Sequence, residues 1–175
     1  STALRDPGSD MTDESTEGPF RLLFVCTGNT CRSPMAEVIA RRRVEELGWE
    51  HVEVRSAGVA AFDGSPASGG AVRAAARNGL DLGEHTSSLL TPELVDEADL
   101  ILTMSVAHLA RVIELGGEDR AALITSFAAA GDASAPGAGV PDPIGGPDED
   151  YLHTFEVLDG LVERALERIQ PVVAP

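Results

Sequence analysis

Three short and almost uninterrupted apolar runs constrain the fold more than any other feature of the sequence. They are RLLFVC at 21–26, LILTM at 100–104 and AALIT at 121–125, and HVEVRSAGV at 51–59 provides a fourth candidate strand. A continuous apolar run of this length is typical of a strand that is buried on both faces of a parallel sheet. Parallel strands need crossover connections, and helical patterns separate these four segments. The sequence therefore predicts a single-domain α/β fold, with a four-stranded parallel sheet flanked by helices on both faces.

Helical patterns fill the intervals between the predicted strands. After Pro34, which helix starts tolerate, apolar side chains recur with a helical period until Gly48. The Ala-, Gly- and Pro-rich segment 128–147 predicts a long loop, and long loops in compact domains are usually functional or disordered. The other predicted helices are GGAVRAAARNGL at 69–80, TPELVDEAD at 91–99, SVAHLARVIEL at 105–115 and DEDYLHTFEVLDGLVERALERIQ at 148–170. The acidic residues Asp148, Glu149 and Asp150 favour the N-terminus of the last helix, and Tyr151 is expected to pack beneath it.

The charge balance limits the possible partners. The formal net charge is −16, from 29 acidic and 13 basic residues, and every basic residue is an arginine. This balance disfavours binding to nucleic acids and to anionic membranes. A salt-rich cytoplasm is a hypothesis for its origin, with the ordinary acidity of a GC-rich genome as the alternative. Residues 1–19 are polar and acidic without an apolar period, so they predict a disordered N-terminal tail before a domain over 20–175.

The two cysteines, Cys26 and Cys31, are too few for a disulfide scaffold. No stretch approaches the roughly 20 apolar residues that span a bilayer, and the N-terminus lacks the pattern of a signal peptide. We therefore expect a cytoplasmic protein whose thiols are reduced at rest. C-x4-C without a second Cys or His pair is poor zinc spacing, so the pair indicates chemistry more than metal binding.

The segment CTGNTCRS, which begins at Cys26, lies between the first predicted strand and the first helix. Ligands of an open parallel sheet bind at the carboxyl ends of its strands, and a helix N-terminus offers N–H groups to a phosphate-sized anion. The positive field there favours the thiolate of Cys26, and the planar guanidinium of Arg32 can hold two phosphoryl oxygens. Gly28 and Asn29 tolerate the unusual backbone of a tight turn. The segment predicts attack of a thiolate on phosphorus, with Ser33 donating a hydrogen bond to the sulfur.

Several blocks stand in one order along the chain: VCTGNTCRSPMAE, RSAGV, HTSSLLTPELVDEADLILTM and an Asp-Pro pair near the C-terminus. In these blocks the sequence resembles the low-molecular-weight protein-tyrosine-phosphatase family, with its C-x5-R-S loop. The resemblance extends from about residue 21 to the last predicted helix. It implies the four-stranded fold predicted above and a cysteine-dependent protein phosphatase that forms a thiophosphate enzyme intermediate.

The resemblance also implies the roles of individual residues. Cys26 is the expected nucleophile, Arg32 the phosphate clamp, and Asp142 the general acid that later activates water. No metal or other cofactor is implied. Cys31 matches a loop cysteine that in many members forms a reversible disulfide with the nucleophile and shields it from irreversible oxidation. The expected phosphate-binding residues are Thr27, Gly28, Asn29, Thr30, Cys31, Arg32 and Ser33, and the expected loop-supporting residues are Asn29, Ser33, Ser56 and His85.

Two departures from the phosphotyrosine enzymes bear on the substrate. Those enzymes usually follow Asp-Pro with aromatic residues, whereas Ile144, Gly145 and Gly146 stand here, so that one stacking wall is missing. Thr30 replaces the common bulky aliphatic residue before the second loop cysteine. Both departures resemble the protein-arginine-phosphatase branch of the family, and a hydroxyl near a polar N–P substrate agrees with it. Phe62 matches a pocket aromatic, so one side of the substrate can still be stacked.

Other functions stay open from the sequence. A phosphotyrosine phosphatase is the nearest alternative, and a non-catalytic phospho-residue binding module is another. Such a module would be expected to have lost Cys26, Arg32 or Asp142, and all three are present. Arsenate reduction is disfavoured, because the thioredoxin-coupled type needs further redox cysteines after Cys31. The expected partners are phosphorylated proteins, and the chain is expected to be a monomer.

The remaining charged and histidine side chains predict no further site. Three histidines, His51, His108 and His153, are interpreted as ordinary exposed or helical residues. Residues 41–43 form an arginine run that is interpreted as a solvated helix face.

Overall fold

A computed structural model describes residues 18–129 and 139–174 of the chain. Its sheet has four strands, β1 (Phe20–Cys26), β2 (Val52–Gly58), β3 (Leu100–Thr103) and β4 (Ala121–Leu123), in the order β2-β1-β3-β4. All three pairings are parallel. The predicted α/β fold is therefore confirmed, and the carboxyl ends of the strands lie at one edge of the sheet.

Six helices connect and cover the strands of this part of the chain. Most observed ends lie within three residues of the predicted ones. The main differences are a short helix that was not predicted, which takes Ile124 and Thr125 from the fourth strand, and a last helix that continues past 170 through Pro171. The fourth strand ends early because its partner strand ends at Thr103, opposite Leu123, so that nothing remains to pair with. The helices are α1 (Arg32–Leu47), α2 (Gly69–Arg77), α3 (Pro92–Glu97), α4 (Val106–Glu114), α5 (Ile124–Ala128) and α6 (Asp148–Val173).

The central strand β1 is apolar throughout because each of its faces packs against a different layer of helices. Leu22 and Phe24 join the core under α1, α2 and α6, together with Met35 and Leu158. Successive side chains of a strand point to opposite faces, so Leu23 and its neighbour Val25 join a second core with residues of α3 and α4. This arrangement explains the uninterrupted apolar run and confirms that helices cover both faces.

A close contact between α2 and α6 fixes the layer next to the first loop. A Cβ atom on Gly70 would lie 2.3 Å from the ring of Tyr151, so only glycine allows this approach. Tyr151 is 5% exposed, in agreement with the packed position predicted for it at the start of the last helix, and its neighbour in α2 is Gly70. The acidic first turn of α6 is also confirmed, and Asp148 pairs with Arg73 of α2 at 2.8 Å.

Parts of the sequence predictions lie outside the described residues. They are the tail at 1–17 and residues 130–138 of the predicted long loop. The boundary of a domain near residue 20 stays a prediction, although β1 begins there. Within the described ranges, none of the helices has the length and apolar character that crossing a bilayer requires.

Candidate active site

The chain leaves β1 at Cys26 and enters α1 at Arg32 through a short loop, with Cys31 as the N-cap residue. Among the described residues, the backbone N–H groups of 27–31 donate no hydrogen bond to another backbone group. Five such donors at a helix N-terminus form a site for an anion, since the helix dipole adds positive potential there. We call the segment 26–33 the phosphate loop.

Arg32 has a buried donor that nothing in the described structure accepts. Its side chain is 7% exposed, and its Nε atom is buried without a hydrogen-bond partner. Nη1 donates to the carbonyl of Val140 at 3.0 Å, and Nη2 lies 3.4 Å from Oδ2 of Asp142. An unsatisfied buried N–H is costly, so this guanidinium is arranged for an acceptor that is brought in from outside.

Cys26 is 2% exposed, and its Sγ atom lies 2.9 Å from Oγ of Ser33. Asn29 donates an N–H of its amide to the same Ser33 oxygen at 2.8 Å. That bond leaves the hydroxyl hydrogen of Ser33 available, and a thiolate has no hydrogen of its own to give, so Ser33 is the donor once Cys26 is ionised. The arrangement can stabilise a thiolate by a hydrogen bond, as predicted for Ser33.

Asn29 is the centre of the network that holds the phosphate loop. Its backbone has φ 57°, and its amide donates to Ser33 and, at 2.9 Å, to Oγ of Ser56. Its Oδ1 accepts from the N–H of Ser88 at 2.9 Å, and its backbone carbonyl accepts from Nε2 of His85 at 2.8 Å. An asparagine tolerates the left-handed region better than most side chains, which is why it fits this position.

The prediction for Gly28 is wrong in its physical reason. Asn29 is the residue of this loop with left-handed φ, and a Cβ atom on Gly28 would have its nearest contact at 3.6 Å, an ordinary distance. The glycine that the loop does require is Gly58 at the end of β2. A Cβ atom there would lie 2.4 Å from the carbonyl oxygen of Thr27 and 2.8 Å from the backbone nitrogen of Asn29.

A second layer of contacts behind the loop includes Glu37, which the sequence interpretation missed. Ser56 donates to Oε1 of Glu37 at 2.5 Å, and Nδ1 of His85 lies 4.0 Å from the same oxygen. Arg41 pairs with Oε2 at 2.6 Å, and Arg43 pairs with Asp159 at 2.8 Å, so the arginine run is not simply a solvated helix face. The sequence signal for this residue is the Glu37 to Arg41 spacing of one helical turn.

Asp142 lies across the loop from α1, beside Arg32. Its Oδ1 accepts from the N–H of Ile144 at 3.1 Å, and its side chain is 41% exposed. The approach of this segment is fixed by Val140, which is 3% exposed and donates its N–H to the carbonyl of Met104 at 2.7 Å. A carboxyl group with one face to solvent is thus placed beside the anion site, where it can exchange protons.

A sequence profile described as "Low molecular weight phosphotyrosine protein phosphatase" matches residues 21–173. The chain belongs to this family. The resemblance predicted from the sequence is confirmed, and the match covers both parts of the chain that the structure describes, except for a few terminal residues.

Relatives and solved structures agree with the family assignment. The chain is 38% identical to a protein-arginine-phosphatase of Geobacillus stearothermophilus, over 87% of this chain and 97% of that protein. A low molecular weight protein tyrosine phosphatase from T. tengcongensis has a TM-score of 0.78 at 38% identity, with 85% of this chain and 99% of that one covered. A cysteine-to-serine mutant of the YwlE arginine phosphatase, with a phosphorylated active-site serine, has a TM-score of 0.77 at 34% identity, with 86% and 96% covered.

The second cysteine of the phosphate loop also has defined neighbours. Cys31 is buried, and its Sγ lies 3.2 Å from Oγ of Ser68 and 3.9 Å from the hydroxyl of Tyr151. Cys26 and Cys31 are both free thiols. The carbonyl of Thr30 accepts from the N–H of Ser68 at 2.9 Å, so the segment before α2 braces this side of the loop.

Most of the predicted site residues of this phosphatase contact one another, but Phe62 does not. Cys26 and the supporting residues share one set of contacts through Ser33 and Asn29, and Arg32 of the same loop shares a second set with Asp142. Phe62 does not pack against the loop, since it is 83% exposed and only its carbonyl is held, by the hydroxyl of Ser87. Its segment follows Ala60, whose N–H donates to the carbonyl of Thr27 at 2.9 Å.

The interpretation of His108 as an ordinary helical residue is wrong. It is 3% exposed, and its Nε2 lies 2.8 Å from Oγ1 of Thr27 in the phosphate loop. Burial first, and then the positive charge of Arg32, lower its pKa from 6.5 to about 4, although Asp142 acts in the opposite direction. The only sequence signal is its place one turn into the helix that follows β3, at the same edge of the sheet as the loop.

This pKa predicts how His108 changes the acid stability. The folded protein resists protonation that the unfolded chain accepts below pH 6.5, so the histidine destabilises the fold as the pH falls from 6.5 to 4. Between pH 7 and pH 4, the unfolding free energy of the wild type should fall by about 3 kcal/mol more than that of His108→Leu. Urea unfolding at a series of pH values measures this difference.

An exposed histidine is the control for that measurement. His153→Leu should show the pH profile of the wild type, because His153 lies on the solvent side of α6. Parallel profiles for the wild type and His108→Leu would contradict the lowered pKa.

Proposed function

We propose that this chain is a protein phosphatase that hydrolyses phosphoarginine side chains with Cys26 as its nucleophile. The observation that carries the proposal is the unpaired Nε of Arg32, which belongs to the same short loop as the Cys26 thiol and as the N–H groups of 27–31 that donate to no other backbone group. Donors that have no partner until an oxyanion arrives are arranged for the transition state of phosphoryl transfer. The substrate class rests on the loop residues and on the name of the Geobacillus relative.

In the first step, the thiolate of Cys26 attacks phosphorus. The S–P bond forms while the bond from phosphorus to the arginine nitrogen breaks, and Asp142 gives its proton to the leaving nitrogen. Arg32 and the loop N–H groups hold the equatorial oxygens as their charge changes. Asp142 already lies 3.4 Å from Arg32, so the acid and the clamp act on the same phosphoryl group.

In the second step, water attacks the thiophosphate. The carboxylate of Asp142 takes a proton from the water, the S–P bond breaks, and the sulfur leaves as a thiolate that accepts the hydrogen bond of Ser33. Inorganic phosphate is released and the enzyme returns to its first state. The YwlE mutant that carries a phosphorylated serine at its active site supports a covalent intermediate of this kind in the family.

Thr30 supports the choice of phosphoarginine over phosphotyrosine. It is half-buried on the phosphate loop, and its hydroxyl lies beside the Cys31 sulfur at 3.8 Å. A hydroxyl can bond to the N–H groups of a phosphoguanidinium, whereas an aliphatic side chain would present an apolar wall to a phenyl ring. Gly145 and Gly146 after Asp142 add no such wall, and the single large side chain there, Ile144, is 63% exposed.

The test compares kcat/KM on one peptide that carries phosphoarginine and on its phosphotyrosine counterpart. We expect the wild type to prefer phosphoarginine, and Thr30→Ile to lower that preference by about tenfold or more, because it exchanges a hydrogen-bonding group for apolar contact. Thr30→Ser keeps the hydroxyl and should keep the preference. A wild-type preference for phosphotyrosine would overturn the substrate proposal and leave the family activity intact.

Asp142→Asn should affect the two substrates unequally. A phenolate needs a proton as it leaves, so the loss on phosphotyrosine should be about 100-fold, in the range of general acid catalysis. The nitrogen of a phosphoguanidinium can already carry a proton, so the loss on phosphoarginine should be several times smaller. Single-turnover kinetics on both peptides measure the first step alone. Equal losses would contradict this account of the leaving group.

A tyrosine phosphatase is the second candidate, and the exposed ring of Phe62 is compatible with it. The ring is 83% exposed in the segment after β2, so it is free to stack on a phenyl ring as well as on a guanidinium plane. The non-catalytic binding module is distinguished from both enzymes by turnover in the same assay. Phosphorylated proteins are the proposed partners, whereas the monomeric state and the cytoplasmic location stay predictions.

We also propose that Cys31 protects Cys26 by a reversible disulfide. Both cysteines are free thiols in the same loop, and Ser68 and Tyr151 border the Cys31 sulfur. Oxidation of Cys26 to a sulfenic acid would be followed by attack of Cys31, release of water and formation of the S–S bond. Mass spectrometry after mild peroxide treatment should find the disulfide, and sulfonic acid on Cys26 without a disulfide would contradict the protective role.

A further inference from the structure

A buried histidine and a loop hydroxyl lie behind the arginine of the phosphate loop. Nε2 of His108 lies 2.8 Å from Oγ1 of Thr27, and Nη2 of Arg32 lies 3.5 Å from the same Thr27 oxygen. The three side chains form a chain of contacts from α4 to the anion site. The mechanism above gives no role to the first two of them.

The protonation of His108 follows from its surroundings. Nδ1 is buried and has no hydrogen-bond partner among the described residues. A neutral imidazole carries one hydrogen, and a buried N–H without an acceptor is rarer in proteins than an acceptor without a donor. The hydrogen therefore lies on Nε2, which donates to the Thr27 oxygen. The low pKa of His108 keeps the ring neutral at ordinary pH.

Thr27 can then hold Arg32 in place. Its oxygen has two lone pairs, of which one accepts from His108 and the other from Nη2 of Arg32. Together with the carbonyl of Val140 on Nη1, this fixes the guanidinium at two of its nitrogens and leaves Nε–H without a partner. Nη2 carries two hydrogens and also lies 3.4 Å from Oδ2 of Asp142, so it is shared between the Thr27 oxygen and this carboxylate, and without Thr27 only the carboxylate remains.

We propose that His108 is a positioning residue, which acts through the Thr27 hydroxyl to hold the Arg32 guanidinium in the orientation that presents Nε–H to a phosphoryl group. The proposal rests on the phosphatase function proposed above, because it concerns the same anion site. It differs from a purely structural role in one respect: the loss of His108 should weaken oxyanion binding beyond any loss of stability.

The experiment measures the Kd of inorganic phosphate by isothermal titration, so that binding is separated from turnover. His108→Leu removes the donor at similar volume, and Thr27→Val removes the acceptor. Each should weaken phosphate binding by about tenfold, and the double variant should be no weaker than either single one, because all three break one chain of contacts. His108→Gln places an amide N–H near the position of Nε2 and should recover most of the affinity.

Thr103→Val is the matched control. Thr103 is fully buried, and its hydroxyl donates to the carbonyl of Ser105 at 3.2 Å, just before α4, without contact to Arg32. It should lower the melting temperature and leave the Kd unchanged. If His108→Leu does not fold, Thr27→Val and His108→Gln decide the same question.

Three outcomes would overturn the proposal: unchanged phosphate affinity in Thr27→Val, additive losses in the double variant, or an equal loss of affinity in Thr103→Val. Turnover of the wild type on phosphoarginine and phosphotyrosine peptides is measured beside the titrations. A wild type that binds phosphate but turns over neither peptide would contradict the proposed function. The phosphate affinities of the variants would still test the positioning role of His108.

Discussion

Cys26→Ser is expected to lower kcat/KM by at least about 10⁴-fold on either phosphopeptide, since removal of a nucleophile costs this much or more in comparable enzymes. A serine hydroxyl loses its proton far less readily than a thiol, and the loop donors that stabilise a thiolate cannot make up the difference. Ser33, which lies 2.9 Å from the Cys26 sulfur, would then face a neutral hydroxyl. Phosphate affinity should change little, because Arg32 and the N–H groups of 27–31 stay in place.

Two further measurements make this result specific. A slow phosphoryl transfer to the new serine would give a stable ester, so intact-protein mass spectrometry after incubation with substrate should show the addition of one phosphoryl group. Cys31→Ser is the matched exchange, and it should retain far more activity, because the Cys31 sulfur contacts Ser68 instead of Ser33. Turnover of Cys26→Ser within tenfold of the wild type would show that another group attacks phosphorus.

The residues that we propose act directly on phosphorus could be located from the sequence because they are adjacent in it. A strand, a short loop and a helix place Cys26, Ser33 and Arg32 together by local chain geometry alone, so one motif was sufficient. Asp142 comes from a distant segment, and it was found through the Asp-Pro match to the family. No pattern in the residues themselves predicts its distance of 3.4 Å from Arg32.

The supporting residues were predicted incompletely for a related reason. His108 and Glu37 look like ordinary helical residues, and their importance depends on which helix face meets the loop after the sheet has formed. The requirement for glycine at Gly58 likewise arises from the approach of β2 to the carbonyl of Thr27, which is a contact across 31 residues of chain. Such contacts are determined by tertiary packing, so the local propensities of the residues do not predict them.

The short fourth strand shows the same limit in the fold. AALIT has the composition of a buried strand, and Ala121 to Leu123 do pair with β3. The next residue, Ile124, is fully buried in the opening turn of α5 instead. An apolar residue satisfies the core equally well from a helix or from a strand, so the apolar run alone could not locate this boundary.

Arg32→Lys should lower kcat/KM by about 10³-fold, although the charge is kept. The two Nη atoms of the guanidinium contact Val140, Thr27 and Asp142, and Nε–H stays available for the phosphoryl group. A lysine ammonium has its three donors on one nitrogen, so it cannot keep these contacts and also present a separate N–H to the phosphoryl group. The loss should appear both in the Kd of inorganic phosphate and in kcat, since the clamp holds the ground state and the transition state.

Arg120→Lys is the control that separates this effect from a general loss of an arginine. Nη1 of Arg120 donates to the carbonyl of Asp96 at 2.9 Å, at the C-terminal end of α3 and away from the phosphate loop. Its replacement should lower the melting temperature without changing phosphate affinity or kcat/KM. If Arg32→Lys stayed within tenfold of the wild type while Arg120→Lys lost stability as expected, charge alone would be sufficient at the anion site. The placement of the donors on three separate nitrogens would then have no part in catalysis.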